Sequence, residues 1–259
     1  MKLYSRTSGK GKTLLMIHGI MCDHTYFDAV ADLLNSDYKV ITYDRRGYGL
    51  DVAEKPTEFS LASQAEDALE VISDEDSVFA VGHSAGSLVA LKAALMSPEK
   101  ISGMLLVEPG LMFNEDSARE LRDWNEEMNE YASAKALKKA MQAFNERTGT
   151  GGAPKQGTTA ESMKRGFNNL TNFIYGELND IQLCDFDIDD LRAISVPVII
   201  GITEKESLFS RAAESSAKLL GWPVVRISGT HNAPSEKPEE FAETIKKVLG
   251  SIENNDLGS

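Results

Sequence analysis

Cysteine is scarce in this chain of 259 residues: only Cys22 and Cys184 occur, far apart and outside any C-x-x-C arrangement. That spacing signals neither a zinc site nor a redox pair, and both side chains read as ordinary thiols. Basic residues are also few, with 27 Lys and Arg against 40 Asp and Glu and a formal charge of −13. Such a field repels nucleic acid and anionic lipid. No stretch approaches the roughly 20 apolar residues that a membrane helix needs, and the opening MKLYSRTSGKGK has no apolar run of signal-peptide length. The expectation is a cytoplasmic protein with no nucleic-acid or membrane partner. Internal repeats are lacking too. Gly9 to Thr13 is not a phosphate loop, because its first required glycine falls at Arg6.

What remains is an ordinary globular composition, 42% hydrophobic and 26% charged, in a chain long enough for one large domain. Short apolar, β-branched runs recur at Thr13 to Ile17, Tyr38 to Tyr43, Ser77 to Val81, Ile101 to Val107, Val196 to Ile202 and Val224 to Ile227. Helical patterns lie between or after them at Tyr26 to Leu34, Leu61 to Ser73, Ser87 to Met96, Ser210 to Leu220 and Pro238 to Leu249. This alternation predicts an α/β fold: a mostly parallel sheet covered by helices on both faces. It breaks between Leu111 and Arg192. There the helical patterns Ala118 to Tyr131, Ala134 to Phe144 and Glu161 to Leu178, with the Gly-rich stretch Thr148 to Gly157 among them, read as an insertion. The expected division is a core of 1–110 and 193–259 with a helical cap, or lid, of 111–192. The acidic stretch Asp185 to Asp190 and the tail Glu253 to Ser259 read as solvated surface and a frayed end.

The strongest chemical signal is Gly82-His83-Ser84-Ala85-Gly86, directly after one predicted strand and directly before a helix. This is G-x-S-x-G in the context that makes it a nucleophile elbow. A strand that turns this sharply into a helix leaves Ser84 in a strained conformation, and the glycines avoid collisions between Cβ atoms. The amino terminus of the following helix offers unpaired N–H groups to an oxyanion. A serine hydroxyl also needs a base of near-neutral pKa. Of the histidines at 18, 24, 83 and 231, position selects His231, in the loop after the last strand and so at the carboxyl edge of the sheet.

These motifs, with His18-Gly19 after the first parallel strand and Asp44-Arg45-Arg46-Gly47-Tyr48-Gly49 after the next, resemble the α/β-hydrolase superfamily in its serine esterase, lactonase and perhydrolase-like branches. The likeness runs from about Leu14 to Leu249. It implies oxyanion donors at the backbone amides of Ile20 and Ala85, a structural role for His18, and no metal or organic cofactor. For the triad acid it leaves two positions open. Glu108 ends the strand Ile101 to Val107, and Glu206 lies in the loop after Val196 to Ile202, where most of the family places an aspartate; Glu108 is favoured because a buried carboxylate orients an imidazole better. Family members usually begin with an antiparallel hairpin, and the short segment before Thr13 implies one edge strand fewer.

The implied activity is hydrolysis of a small, apolar carboxylic ester, lactone or thioester through an acyl-enzyme on Ser84, with His231 as general base. Alternatives are a ligand-binding or signalling protein of this fold with slow turnover, a perhydrolase, or a C–C bond hydrolase. The partner would be a small-molecule substrate, and the oligomeric state is left open between monomer and dimer.

Overall fold

A computed structural model describes residues 3–49, 59–149, 160–178 and 186–254. Its centre is a seven-stranded sheet: β1 (Ser5–Ser8), β2 (Lys12–Ile17), β3 (Tyr38–Tyr43), β4 (Val78–His83), β5 (Ile101–Val107), β6 (Val198–Thr203) and β7 (Val224–Ile227). The spatial order is β1-β3-β2-β4-β5-β6-β7. Only β1 runs antiparallel, pairing Ser5 with Tyr43 along the edge of β3, while every other neighbouring pair is parallel. The six apolar runs read from the sequence are the six parallel strands. The short leading segment supplies a single antiparallel edge strand in place of a hairpin.

Alternation along the strands divides the apolar residues between two faces. Leu15, Ile17, Ala80, Met104 and Leu106 join one core with α2 (Leu61–Val71) and α3 (Ala85–Met96). Leu14, Met16, Phe79, Val81, Leu105 and Val107 join the other with α1 (Asp28–Leu34) and the final helix. Helix α3 is buried almost all round, from Ala85 through Ala94 except Lys92, as expected of a central crossover that is hydrophobic on every side.

Between β5 and β6 lie α4 (Glu115–Ser133), α5 (Leu137–Thr148), α6 (Ala160–Asn172), which continues as a π-turn over Phe173–Glu177, and α7 (Ile188–Arg192). Leu121, Trp124, Met128, Phe144, Phe173 and Ile174 from this segment merge with the core above α3. The helices therefore share the sheet's core. Asp187 caps α7, with Asp189 and Asp190 exposed; Asp185, residues 150–157 of the Gly-rich stretch, the tail 255–259 and Cys184 lie outside the described residues. The fold closes with α8 (Leu208–Leu220), α9 (Ala233–Glu236) and α10 (Pro238–Glu253).

A buried ion pair ties the inserted segment to the sheet. Arg45, two residues beyond β3, pairs with both carboxylate oxygens of Glu177 in the π-turn, with Nη2 to Oε2 at 3.3 Å. Gln64 of α2 donates to Glu177 Oε1 at 2.8 Å, and the Tyr48 hydroxyl donates to Oε2. Asn169 and Asn172 of α6 add bonds to Gly49 N–H, Met21 C=O and Gly47 C=O. The turn from Asp44 to Gly49 thus anchors the inserted helices. Burial of Arg45 opposes its charge, but Glu177 outweighs that and holds its pKa above the ordinary value. Removing one partner of such a pair strands a buried charge and typically costs about 3–5 kcal/mol. Glu177→Ala is expected to destabilise the chain by about that much in urea unfolding, and the double variant Arg45→Met, Glu177→Leu to recover most of the loss. A single-variant effect below about 1 kcal/mol would show that the anchor is not energetically significant.

Candidate active site

The strand ends gather every singled-out residue except Glu206. Ser84 connects β4 to α3 at φ 52°, ψ −122°, a left-handed conformation that costs a non-glycine residue about 1–3 kcal/mol. The turn packs so closely on β2 that a Cβ at position 86 would lie 2.1 Å from the Ile17 carbonyl oxygen, and one at position 82 would lie 2.6 Å from Ser87 Cα. Only glycine fits in either place. Met21 (φ 61°) and Glu108 (φ 45°) share the left-handed region. Three of the four non-glycine residues with positive φ among the described residues thus follow the carboxyl ends of β2, β4 and β5.

Glu108 directly follows β5 and is fully buried. Its Oε2 lies 2.5 Å from His231 Nδ1, and its Oε1 accepts from the Thr203 amide at 2.9 Å and from the Thr203 hydroxyl. Burial works to raise the Glu108 pKa, but the hydrogen bond and charge of His231, with both Thr203 donors, outweigh it and hold the carboxyl below its usual 4.5. Glu206 is solvent-exposed and faces Arg211 at 3.4 Å. Of the two candidate acids, then, only Glu108 meets the imidazole.

His231 is itself buried, its ring stacked on Phe209 at 4.9 Å and tilted against His83 at 4.7 Å. Phe209 sits in the first turn of α8, which Ser207 and Ser210 start by capping each other reciprocally. His83 reaches the loop of His231, with Nε2 2.8 Å from the His231 carbonyl oxygen. Burial drives the His83 pKa well below its ordinary value, so the neutral ring donates Nε2–H there. Among the described residues no hydrogen bond joins Ser84 Oγ to His231, a contact that in ligand-free sites often tightens only with substrate.

His18 accepts the Arg45 amide on Nε2 at 3.0 Å and donates from Nδ1 to Gly19 C=O at 2.8 Å. Burial pushes its pKa down to about 4, with Arg45 assisting. It is a structural histidine. His24 pairs with Asp44 at 2.7 Å. With Asp23 these two form the one cluster among the described residues whose geometry could hold a metal ion. Thr25, Asn169 and Arg165 already satisfy Asp23, so paired charges account for the cluster.

Ser84 opens on a small cavity lined by Ile20, Ala85, Leu88, Gly110, Met112, Leu121 and Phe209. Ala85 is the first residue of α3, so its N–H has no intrahelical acceptor. Met112 and Leu121 of the inserted segment line this space. Trp124, Met128, Phe144 and Phe173 are core, and Phe167 and Tyr175 are 56% and 54% exposed. The sequence reading missed Thr203, Phe209, Leu88, Gly110 and Leu121. None carries a local signal, since each is an ordinary strand, helix or loop residue until the chain folds.

The family model described as the alpha/beta hydrolase family matches residues 14–244. The chain belongs to the alpha/beta hydrolase family. A protein of Agrobacterium fabrum named “Putative carbamate hydrolase RutD” is 28% identical, over 96% of this chain and 97% of its own length. A pimeloyl acyl-carrier-protein methyl ester esterase of Aliivibrio fischeri is 33% identical over 113 residues, 43% of this chain and 42% of its own. A thermophilic esterase of Thermogutta terrifontis superposes with a TM-score of 0.73 at 17% identity, covering 96% of this chain and 93% of that one; this last likeness shows the shared fold. This alpha/beta hydrolase has, among its described residues, no helix long and apolar enough to cross a membrane.

Because the folded pKa of Glu108 lies below 4.5, its stabilising contribution is complete above that pH and is lost as pH falls through the folded value. Glu108→Gln is expected to cost about 1–3 kcal/mol at pH 7 and progressively less below about pH 4.5. Urea unfolding of both forms at neutral and acid pH checks this; a difference that widened in acid would refute it.

Proposed function

We propose that this alpha/beta hydrolase cleaves carboxylic esters of small, apolar acids through an acyl-enzyme on Ser84. The single observation that carries the reading is the Glu108 carboxylate on Nδ1 of His231, on the side of the molecule where Ser84 opens into an apolar cavity. With Nδ1–H donated to Glu108, Nε2 holds the lone pair of a general base, and the carboxylate stabilises the imidazolium that forms.

In the first half-reaction Nε2 of His231 takes the Ser84 proton while Oγ bonds to the ester carbonyl carbon. The negative charge on the carbonyl oxygen falls to the amides of Ile20 and Ala85, each such donor being worth about 3 kcal/mol in the transition state. The tetrahedral species collapses by breaking the bond to the leaving oxygen, which departs as the alcohol with the proton from His231. Water then attacks the acyl-enzyme, its proton passing to His231 and back to Ser84 Oγ, and the acid leaves. A neutral nucleophile, base and amide donors suffice for these steps.

Residues 111–192 are the cap in this reading, with Met112 and Leu121 closing the cavity. The net charge of −13 suits a small uncharged substrate better than a polyanion. A relative's name brings carbamates into consideration. They present the same carbonyl with an added N–H, for which an apolar lining offers no acceptor, so esters are favoured.

The expected outcome is a burst of p-nitrophenol from p-nitrophenyl acetate, with kcat/KM lowered about 1,000,000-fold by Ser84→Ala or His231→Ala and about 10,000-fold by Glu108→Gln. Glu206→Gln is expected to stay within about twofold of the parent, as a surface residue away from the reacting groups. Parent turnover no faster than that of Ser84→Ala would instead favour a binding protein of this fold.

A further inference from the structure

We propose that the cavity beside Ser84 takes the acyl side of the ester, and that Gly110 sets the length and width of the uncharged aliphatic chain it accepts. This rests on the acyl-enzyme reading above and names the substrate class for the same site. The leaving oxygen has to face His231, which protonates it, yet His231 is not part of the cavity wall, whereas Ser84 and Ala85 are. Once the oxyanion faces the amides and the leaving group faces the imidazole, the acyl chain is the substituent left to enter the cavity.

The wall has no charged side chain, and apart from the nucleophile it is aliphatic or aromatic: Ile20, Leu88, Met112, Leu121 and Phe209. A carboxylate or ammonium on the chain would lose its hydration without a partner. The volume open to the centre of a water molecule is only about 20 Å³, which limits the chain to a few carbons.

Within this wall Gly110 is the position without a side chain. A Cβ built there would lie 3.7 Å from Leu88 Cδ1 and 4.0 Å from Phe209 Cε1. Both neighbours are wall residues and both distances are ordinary van der Waals contacts, so an added methyl would project between them without a clash. Gly110 also has no positive φ among the described glycines, so its backbone does not demand glycine. What its hydrogen atom preserves is space for substrate. By contrast, the glycines at 82 and 86 are required by backbone contacts.

The test is a chain-length series of p-nitrophenyl acetate, butyrate and hexanoate on the parent, Gly110→Ala, Gly110→Val and Met112→Ala, with thermal unfolding to establish that each variant is folded. In a hydrophobic pocket one methylene is worth about tenfold or more in discrimination. The ratio of kcat/KM for butyrate over acetate should therefore fall about tenfold in Gly110→Ala and further in Gly110→Val. The ratio for hexanoate over acetate should rise in Met112→Ala, which opens the wall. A folded, active Gly110→Ala whose ratios stayed within about twofold of the parent would overturn this proposal and leave the esterase reading intact. No burst and no Ser84-dependent turnover in the parent would overturn the esterase reading, and the acyl pocket with it.

Discussion

The close approach of the turn at 82–87 to the end of β2 is the constraint on which the active-site edge depends. Because the backbone at Gly86 nearly touches the Ile17 carbonyl, α3 must start immediately at Ala85, and Ser84 is forced to a positive φ. One turn thereby sets three things. It puts Ser84 on the cavity wall, places Ala85 next to it there, and sends the His83 ring sideways to the carbonyl of His231. The Ser84 amide in turn donates to the Val107 carbonyl at 2.8 Å, which holds the turn against the strand that delivers Glu108.

Two buried carboxylates show how differently the same group can be handled. Glu108 is met by one imidazole and two Thr203 donors, which engage both of its oxygens. Glu177 is met by a guanidinium, an amide and a phenol that together exhaust its acceptor sites. The first holds the His231 ring in one orientation. The second locks the π-turn of the inserted helices to the sheet, and buried ionic networks of this kind act more through the geometry they specify than through net stabilisation.

The inserted helices contribute to the cavity at its edge while packing mostly as core. Trp124, Met128, Phe144 and Phe173 continue the hydrophobic layer above α3, and only Met112 and Leu121 reach the space beside Ser84. The rest of the wall comes from loops and helices that follow the strands, with Ile20, Ala85, Leu88 and Phe209 all buried.

The sequence by itself determined the six parallel strands, the glycine-framed turn at 82–86 and the place of His231 after the last strand. Those signals are local: a period-two apolar run, glycines where Cβ atoms cannot fit, a histidine after the last strand. Only the tertiary structure decided which glutamate meets the imidazole, since Glu108 and Glu206 both follow strands and differ in what packs over them. The same holds for Thr203, Phe209 and Gly110, whose positions in the site come from neighbouring strand ends and a helix start that are distant along the chain. A site built where parallel strands end side by side is assembled by long-range packing, and its partners leave no spacing to read.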